Sequence, residues 1–304
     1  MLIINTLIPI FCLIIVGYFF KKIQFPDESF WKHLDKFNYF VLFPSLLFYK
    51  LSTANIKNIL TFDFILIGLV AIATTSIFLI ILNKFMRVEN SSFTSIYQGA
   101  IRFNVYVFIA LSSTLLSNES FVMGMLLMAF VTPFINILCI SIFSLYIPKN
   151  KISIVSFLKS IMKNPLIVSC VLGVSINISG FSLPTILENA LSIVSSASLP
   201  MGLLSIGVGL HLSALKDTKM LLFISSFSKL ILLPIIMYIL CLLFEINKDI
   251  TMLMILFAAM PTGSASYVLA RQLGGDLKLI SSIISIQVVL SIFTISFVLW
   301  IFGI

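Results

Sequence analysis

The chain has 304 residues, of which 60% are hydrophobic and only 10% carry charge, against about a quarter in soluble domains. So few charges could not cover a soluble globule, and composition therefore places the chain in a lipid bilayer. The formal charge of +8 does not mark a nucleic-acid partner, because the nineteen cations fall in short clusters between apolar stretches and form no single basic face.

Spanning a bilayer takes roughly 20 apolar residues in a helix, and ten stretches of that order lie between charge or turn clusters. The first, 2–20, starts apolar with no basic leader and no small-residue cleavage site before Lys21 and Lys22, so it is expected to be retained as a helix. The second is 34–52, the third 64–83, and the fourth, diluted by serine, asparagine and glycine, 93–116. The fifth is 120–146, followed by a linker at 147–157. The sixth to tenth are 158–177, 188–210, 219–244, 250–272 and 276–302.

The odd-numbered loops contain Lys21, Lys22, Lys32, Lys36, Lys84, Arg87, Lys149, Lys151, Lys159, Lys163, Lys216, Lys219 and Lys278. The even loops contain only Lys50, Lys57 and Lys248. The positive-inside rule then puts the odd loops in the cytoplasm and both termini outside, in a multi-pass protein of the plasma membrane. Cys12, Cys139, Cys170 and Cys241 all sit in apolar stretches without a CxxC pair or a nearby histidine, so no metal or cofactor site is expected. Tyr18, Tyr97, Tyr146, Tyr49 and Trp300 near segment ends read as interfacial anchors.

A shift of 156 residues maps Pro9 onto Pro165, Gly17 onto Gly173 and Pro44 onto Pro200, and carries each segment of the first half near its counterpart in the second. The chain therefore reads as a five-helix repeat over 1–146, a cytoplasmic linker over 147–157 and a second repeat over 158–304. Five is odd, so the second copy must enter the membrane inverted. Inverted repeats are typical of secondary transporters, whose site lies near the midplane between interrupted helices.

The clearest interruption is in segment nine, at Met260-Pro261-Thr262-Gly263-Ser264-Ala265-Ser266-Tyr267. Pro261 removes a backbone donor and Gly263 relaxes the chain, while Thr262, Ser264 and Ser266 add hydroxyls. A substrate site there competes with a kinked helix whose small residues pack against a neighbour. At the matching depth of segment four stands Gly99-Ala100-Ile101-Arg102-Phe103-Asn104-Val105-Tyr106. A break here is inferred from the repeat, since segment four has no proline. Arg102 lies too deep to snorkel and needs an internal partner or an anionic ligand, either capping carbonyls or facing substrate. Arg102 and Tyr106 are four apart and share a helix face, with Asn104 off that face. Lys229, five residues before Pro234, and Arg271 read as snorkelling or end-of-helix charges.

Asp63, Glu119, Glu188, Glu245, Asp249 and Asp276 cluster at segment ends, which leaves more cations than anions at depth and favours a small organic anion as cargo. H+ and Na+ remain the candidate coupling ions and a homodimer the candidate assembly. His33 and His211 fall in loops, so no intramembrane catalytic cluster can be assembled. A channel or a membrane sensor on the same helices is the reading from a different class, and a sodium-coupled symporter of the bile-acid type is the nearer alternative.

At Gln98-Gly99-Ala100-Ile101-Arg102-Phe103-Asn104, at Ala259 to Gln272, and at Gly274-Gly275-Asp276, the sequence resembles the auxin efflux carrier family, whose bacterial members look like permeases for malonate, malate and related acids. The similarity spans essentially the whole chain, including Gly17-Tyr18 and Phe43-Pro44-Ser45-Leu46. The resemblance implies ten transmembrane helices in which broken helices four and nine cross near mid-membrane. It also implies substrate bound at the crossing, at Arg102, Asn104, Tyr106, Pro261, Thr262, Gly263, Ser264 and Ser266. An elevator-like motion against a scaffold of helices one, two, six and seven is implied as well. Many relatives carry a proline in helix four, where this sequence has Ala110-Leu111-Ser112.

Overall fold

The computed structural model describes residues 2–54, 63–147, 164–210 and 219–301. Most of the linker, the start of segment six, and Lys57, Lys149, Lys151, Lys159, Lys163, His211 and Lys216 lie outside the described residues. Every regular element among the described residues is helical. In chain order these are α1 Leu2–Ile23, α2 Glu28–Phe37, α3 Phe43–Thr53, α4 Asp63–Met86, α5 Asn90–Ile101, α6 Val105–Leu115, α7 Asn118–Tyr146 and α8 Pro165–Ile178. They continue with α9 Thr185–Ser196, α10 Ser198–Gly209, α11 Lys219–Phe227, α12 Leu233–Leu243, α13 Lys248–Ala258, α14 Ala265–Leu273 and α15 Leu277–Ile301. Five stretches, Asp63–Met86, Asn118–Tyr146, Thr185–Gly209, Lys219–Leu243 and Leu277–Ile301, are long and apolar enough to cross a membrane. Large apolar side chains such as Phe85, Leu145, Phe293 and Trp300 are exposed on the outside of the bundle, the pattern of a surface that faces lipid.

The pieces of each apolar segment join across local distortions with identifiable causes. Turns of π-helix, Asn38–Leu42 and Ser228–Leu232, lead into α3 and α12 one turn ahead of Pro44 and Pro234. A proline cannot donate to the carbonyl four residues back, so the ladder loosens there. Beside it the Ser45 hydroxyl donates to the Val41 carbonyl at 2.7 Å. Segment two starts at Glu28, six residues before its apolar run, because Asp27 caps the helix by accepting from the Phe30 N–H at 3.0 Å. His33 consequently sits on an exposed helical turn, with Nδ1 2.7 Å from the Ser29 carbonyl, and not in a loop.

The Phe30 N–H and then the Ser29 hydroxyl hold the Asp27 carboxyl below its usual range. A carboxylate so lowered stabilises the fold above its unfolded pKa of about 3.9, and that contribution disappears as pH falls through the lowered folded value. Asp27→Asn, which keeps the capping oxygen but loses the charge, is expected to flatten the acid limb of a plot of Tm against pH and to lower Tm at pH 7 slightly.

Close helix contacts concentrate at glycines. A Cβ on Gly17 would collide with the Leu204 backbone, and one on Gly207 with the Ile14 carbonyl, so α1 and α10 touch backbone to backbone. A Cβ on Gly173 would lie 3.1 Å from the Phe48 carbonyl, which packs α8 against α3 in the same way. The shift of 156 carries Gly17 to Gly173 and Phe48 to Leu204, so the two contacts interchange under it. The chain also turns through left-handed residues at Gln24 (φ 55°) and Gly180 (φ 71°), again related by 156. Between these pairs, the Asn38 amide and the Ser198 hydroxyl and carbonyl exchange two 3.1 Å hydrogen bonds. The Asn177 amide donates to the Leu51 and Ala54 carbonyls and so caps the end of α3.

Candidate functional site

Segments four and nine are both interrupted. Segment four is helical through Ile101, extended at Arg102 and helical again from Val105, with Asn104 as the new N-cap. Asn104 Oδ1 accepts from the backbone N–H groups of Tyr106 (3.1 Å) and Val107 (3.3 Å), which starts α6 without a proline. Ala110-Leu111-Ser112 lies within α6, so the absent proline leaves that helix intact beyond the break. Segment nine breaks between Ala258 and Ala265, around Pro261 and Gly263. The two breaks touch: the Asn104 N–H donates to the Pro261 carbonyl at 2.7 Å, and a Cβ on Gly263 would lie 2.9 Å from the Phe103 carbonyl. Glycine at 263 is what allows the strands of irregular chain to come this close.

Interrupted helices leave backbone donors and acceptors without intrahelical partners, and in a bilayer each must be satisfied by protein. Gln287 of α15, fully buried, does this for both breaks. Its Oε1 accepts from the Thr262 N–H at 2.9 Å, while its Nε2 donates to the Gly99 carbonyl at 2.9 Å and lies 3.5 Å from Ser225 Oγ. Gln287→Leu orphans a donor and an acceptor at once, at about 1–3 kcal/mol each, and is expected to lower Tm in detergent by several degrees. Gln287→Glu, which retains the acceptor for Thr262, should fall between the two.

Arg102 is 9% exposed, and its Nη2 donates to Asn136 Oδ1 of α7 at 2.7 Å. Its Nε has no partner, and neither amide atom of the buried Gln98, one turn back on α5, has one. The one ion pair among the described residues is Lys32–Glu28 on the surface, so the Arg102 charge has no carboxylate to balance it. A buried cation held by a neutral amide is incompletely compensated, which suits a transient anionic partner.

The remaining expected site residues divide between the crossing and its surroundings. Pro261, Thr262, Gly263 and Ser266 are buried at the crossing, and the Thr262 and Ser266 hydroxyls hydrogen-bond to each other at 3.1 Å. Ser264 is exposed. Tyr106 does not share a helix face with Arg102, because the break at 102–104 turns the chain between them. Its ring instead stands edge-on to Phe43 at 5.3 Å and covers Gly202, which places it between the crossing and the α3–α10 pair.

Two further expectations are corrected. Tyr97 is no interfacial anchor; it is wholly buried and hydrogen-bonded to Ser76. Lys229 does not snorkel: it is 0% exposed on the π turn of segment eight, with no hydrogen-bond partner for Nζ. Arg271 is exposed at the end of α14, as an end-of-helix charge should be. Two apolar pockets, one lined by Phe43, Leu47, Val105, Met125 and Cys170 and the other by Leu79, Met86, Phe93 and Ile224, contain neither Arg102 nor the 261–266 stretch.

The family model described as "Membrane transport protein" matches residues 2–299. No curated protein matches the chain.

Proposed function

This chain belongs to the membrane transport protein family, that of the auxin efflux carriers, and we propose that within it the chain is a secondary transporter of small organic anions. The cargo class is carboxylates, the membrane is the plasma membrane, and a proton or a sodium ion is the coupling ion. The observation that carries the reading is Arg102, a buried cation that has no carboxylate partner among the described residues, at the contact of two interrupted helices.

The reciprocal contacts of Gly17 with Leu204 and of Gly173 with Phe48 support two inverted five-helix repeats, because a two-fold axis between the halves generates contacts in such pairs. Ten spans follow when the interrupted helices are counted as single crossings. The glycine-sealed packing of α1 on α10 and α3 on α8 supports a rigid scaffold of helices one, two, six and seven. Against it the crossing would move, with Tyr106 at the seam. Alternating access by such a displacement needs no covalent chemistry, only a cargo that bridges the two breaks and discharges Arg102.

Uptake of labelled malonate and malate into proteoliposomes, with imposed sodium or proton gradients, tests the reading. Saturable uptake raised by one gradient supports an ion-coupled anion carrier. Flux that rises linearly with concentration and ignores both gradients favours a channel instead.

A further inference from the structure

We propose that Lys229 is a second cationic group of the anion site and that it reads a second negative charge on the cargo. This rests on the anion-carrier reading above and assigns a residue which that reading does not use. Lys229 lies on the π turn Ser228–Leu232, fully buried, and its Nζ has no hydrogen-bond partner. The turn packs against α5, the first half of interrupted segment four, and against α15, which braces the crossing through Gln287.

Register places the lysine at the level of the breaks. Ser225, one turn earlier on the same helix, donates to the Ile96 carbonyl at 3.2 Å and lies 3.5 Å from Gln287 Nε2, which itself donates to Gly99. Lys229 is therefore a single turn along segment eight from Ser225, which lies against Gln287, the side chain that ties the two interruptions together.

Nothing on the neighbouring helices balances it. The only titratable side chain of α5 is Tyr97 and that of α15 is Lys278, while the flanking helices of its own segment contribute Lys219, Tyr238 and Cys241. No carboxylate occurs on any of these four helices. Burying an amine with neither acceptor nor counter-charge is among the costlier things a fold can do. Arg102, where α5 ends, is also short of a counter-charge among the described residues, with Nη2 on the neutral Asn136 amide and Nε unpartnered. Two under-compensated cations beside one crossing fit a cargo with two anionic groups better than a cargo with one, since each carboxylate would then settle one cation.

The test is the thermal stability of the full-length chain in detergent, titrated with sodium malonate or sodium acetate, with sodium chloride holding ionic strength constant. Unaltered protein is expected to be stabilised at lower concentrations of malonate than of acetate. Lys229→Met matches the side chain in length and apolar stem; it should purify as a single species and lose about tenfold or more in apparent malonate affinity, with its acetate response unchanged. Lys229→Arg should retain the preference for malonate. Lys229→Gln, which keeps a polar end at the site, is read in the same way as the methionine variant should the latter fail to fold.

A malonate preference that survives in Lys229→Met or Lys229→Gln but is lost in Arg102→Gln overturns the assignment of Lys229 and leaves the carrier reading in place. Unaltered protein that responds to neither anion overturns both.

Discussion

Arg102→Ala is expected to abolish saturable anion uptake while leaving the protein folded, with Tm equal to or above that of the unaltered chain. The argument is one of sign. If Arg102 were a structural cation, its removal would orphan the groups it holds and lower Tm by the cost of breaking a buried network. Its Nη2 donates to Asn136, the Cys139 thiol lies against the guanidinium, its Nε has no partner, and among the described residues no carboxylate pairs with it. The folded protein without cargo therefore bears an uncompensated charge, and deleting that charge removes a burden. The cargo loses its charged partner, and truncating one member of a buried charge pair costs about 2–5 kcal/mol, or roughly 30- to 5,000-fold in affinity. Asn136→Leu, which leaves the guanidinium in place but unheld, should raise KM with a smaller loss. A fall in Tm together with unaltered uptake would return Arg102 to a structural role.

The second large effect is on the scaffold. Gly17→Val and Gly207→Val are expected to prevent accumulation of monodisperse protein, whereas Gly209→Ala, with nothing within 4 Å of a new Cβ, should be tolerated. At Gly17 the obstacle is the Leu204 carbonyl and at Gly207 the Ile14 carbonyl, and backbone cannot rotate aside as a side chain can. Overpacking against such a wall costs about 1–3 kcal/mol or more for the first methyl, and valine adds two further methyls. Gly173→Val meets Leu51 Cβ at 2.9 Å and the Phe48 carbonyl at 3.1 Å, a milder conflict. It should lower Tm without eliminating the folded species. Size-exclusion profiles and Tm of the four variants in one detergent decide this, and a normal profile for Gly17→Val would show that α1 and α10 are not packed backbone to backbone.

Much of the fold was legible because a bilayer imposes a length on every apolar run, and charge clusters mark the ends. Pro261 and Gly263 marked the break of segment nine for local reasons. The break of segment four was harder, since apart from the local Asn104 cap its stabilising partners are remote: the Pro261 carbonyl, and Gln287, 188 residues beyond the Gly99 carbonyl it satisfies. No local signal announces such partners. Tyr97 and Lys229 were misplaced for a related reason. In a soluble helix the polar face betrays which side meets water, but a membrane helix is apolar on both its lipid and its protein faces, so sequence does not say which residues are inside. Gln98, Asn136 and Gln287 could have been noticed as the strongly polar amides deep in segments four, five and ten, each of which a bilayer makes expensive unless another group satisfies it.

The most direct test of the central claim is exchange of labelled malonate across proteoliposomes preloaded with unlabelled malonate, comparing the unaltered chain with Arg102→Ala at matched reconstitution. Saturable exchange by the unaltered protein and none by the variant is the predicted result. Equal exchange by both would contradict an anion site at the crossing of the two broken helices.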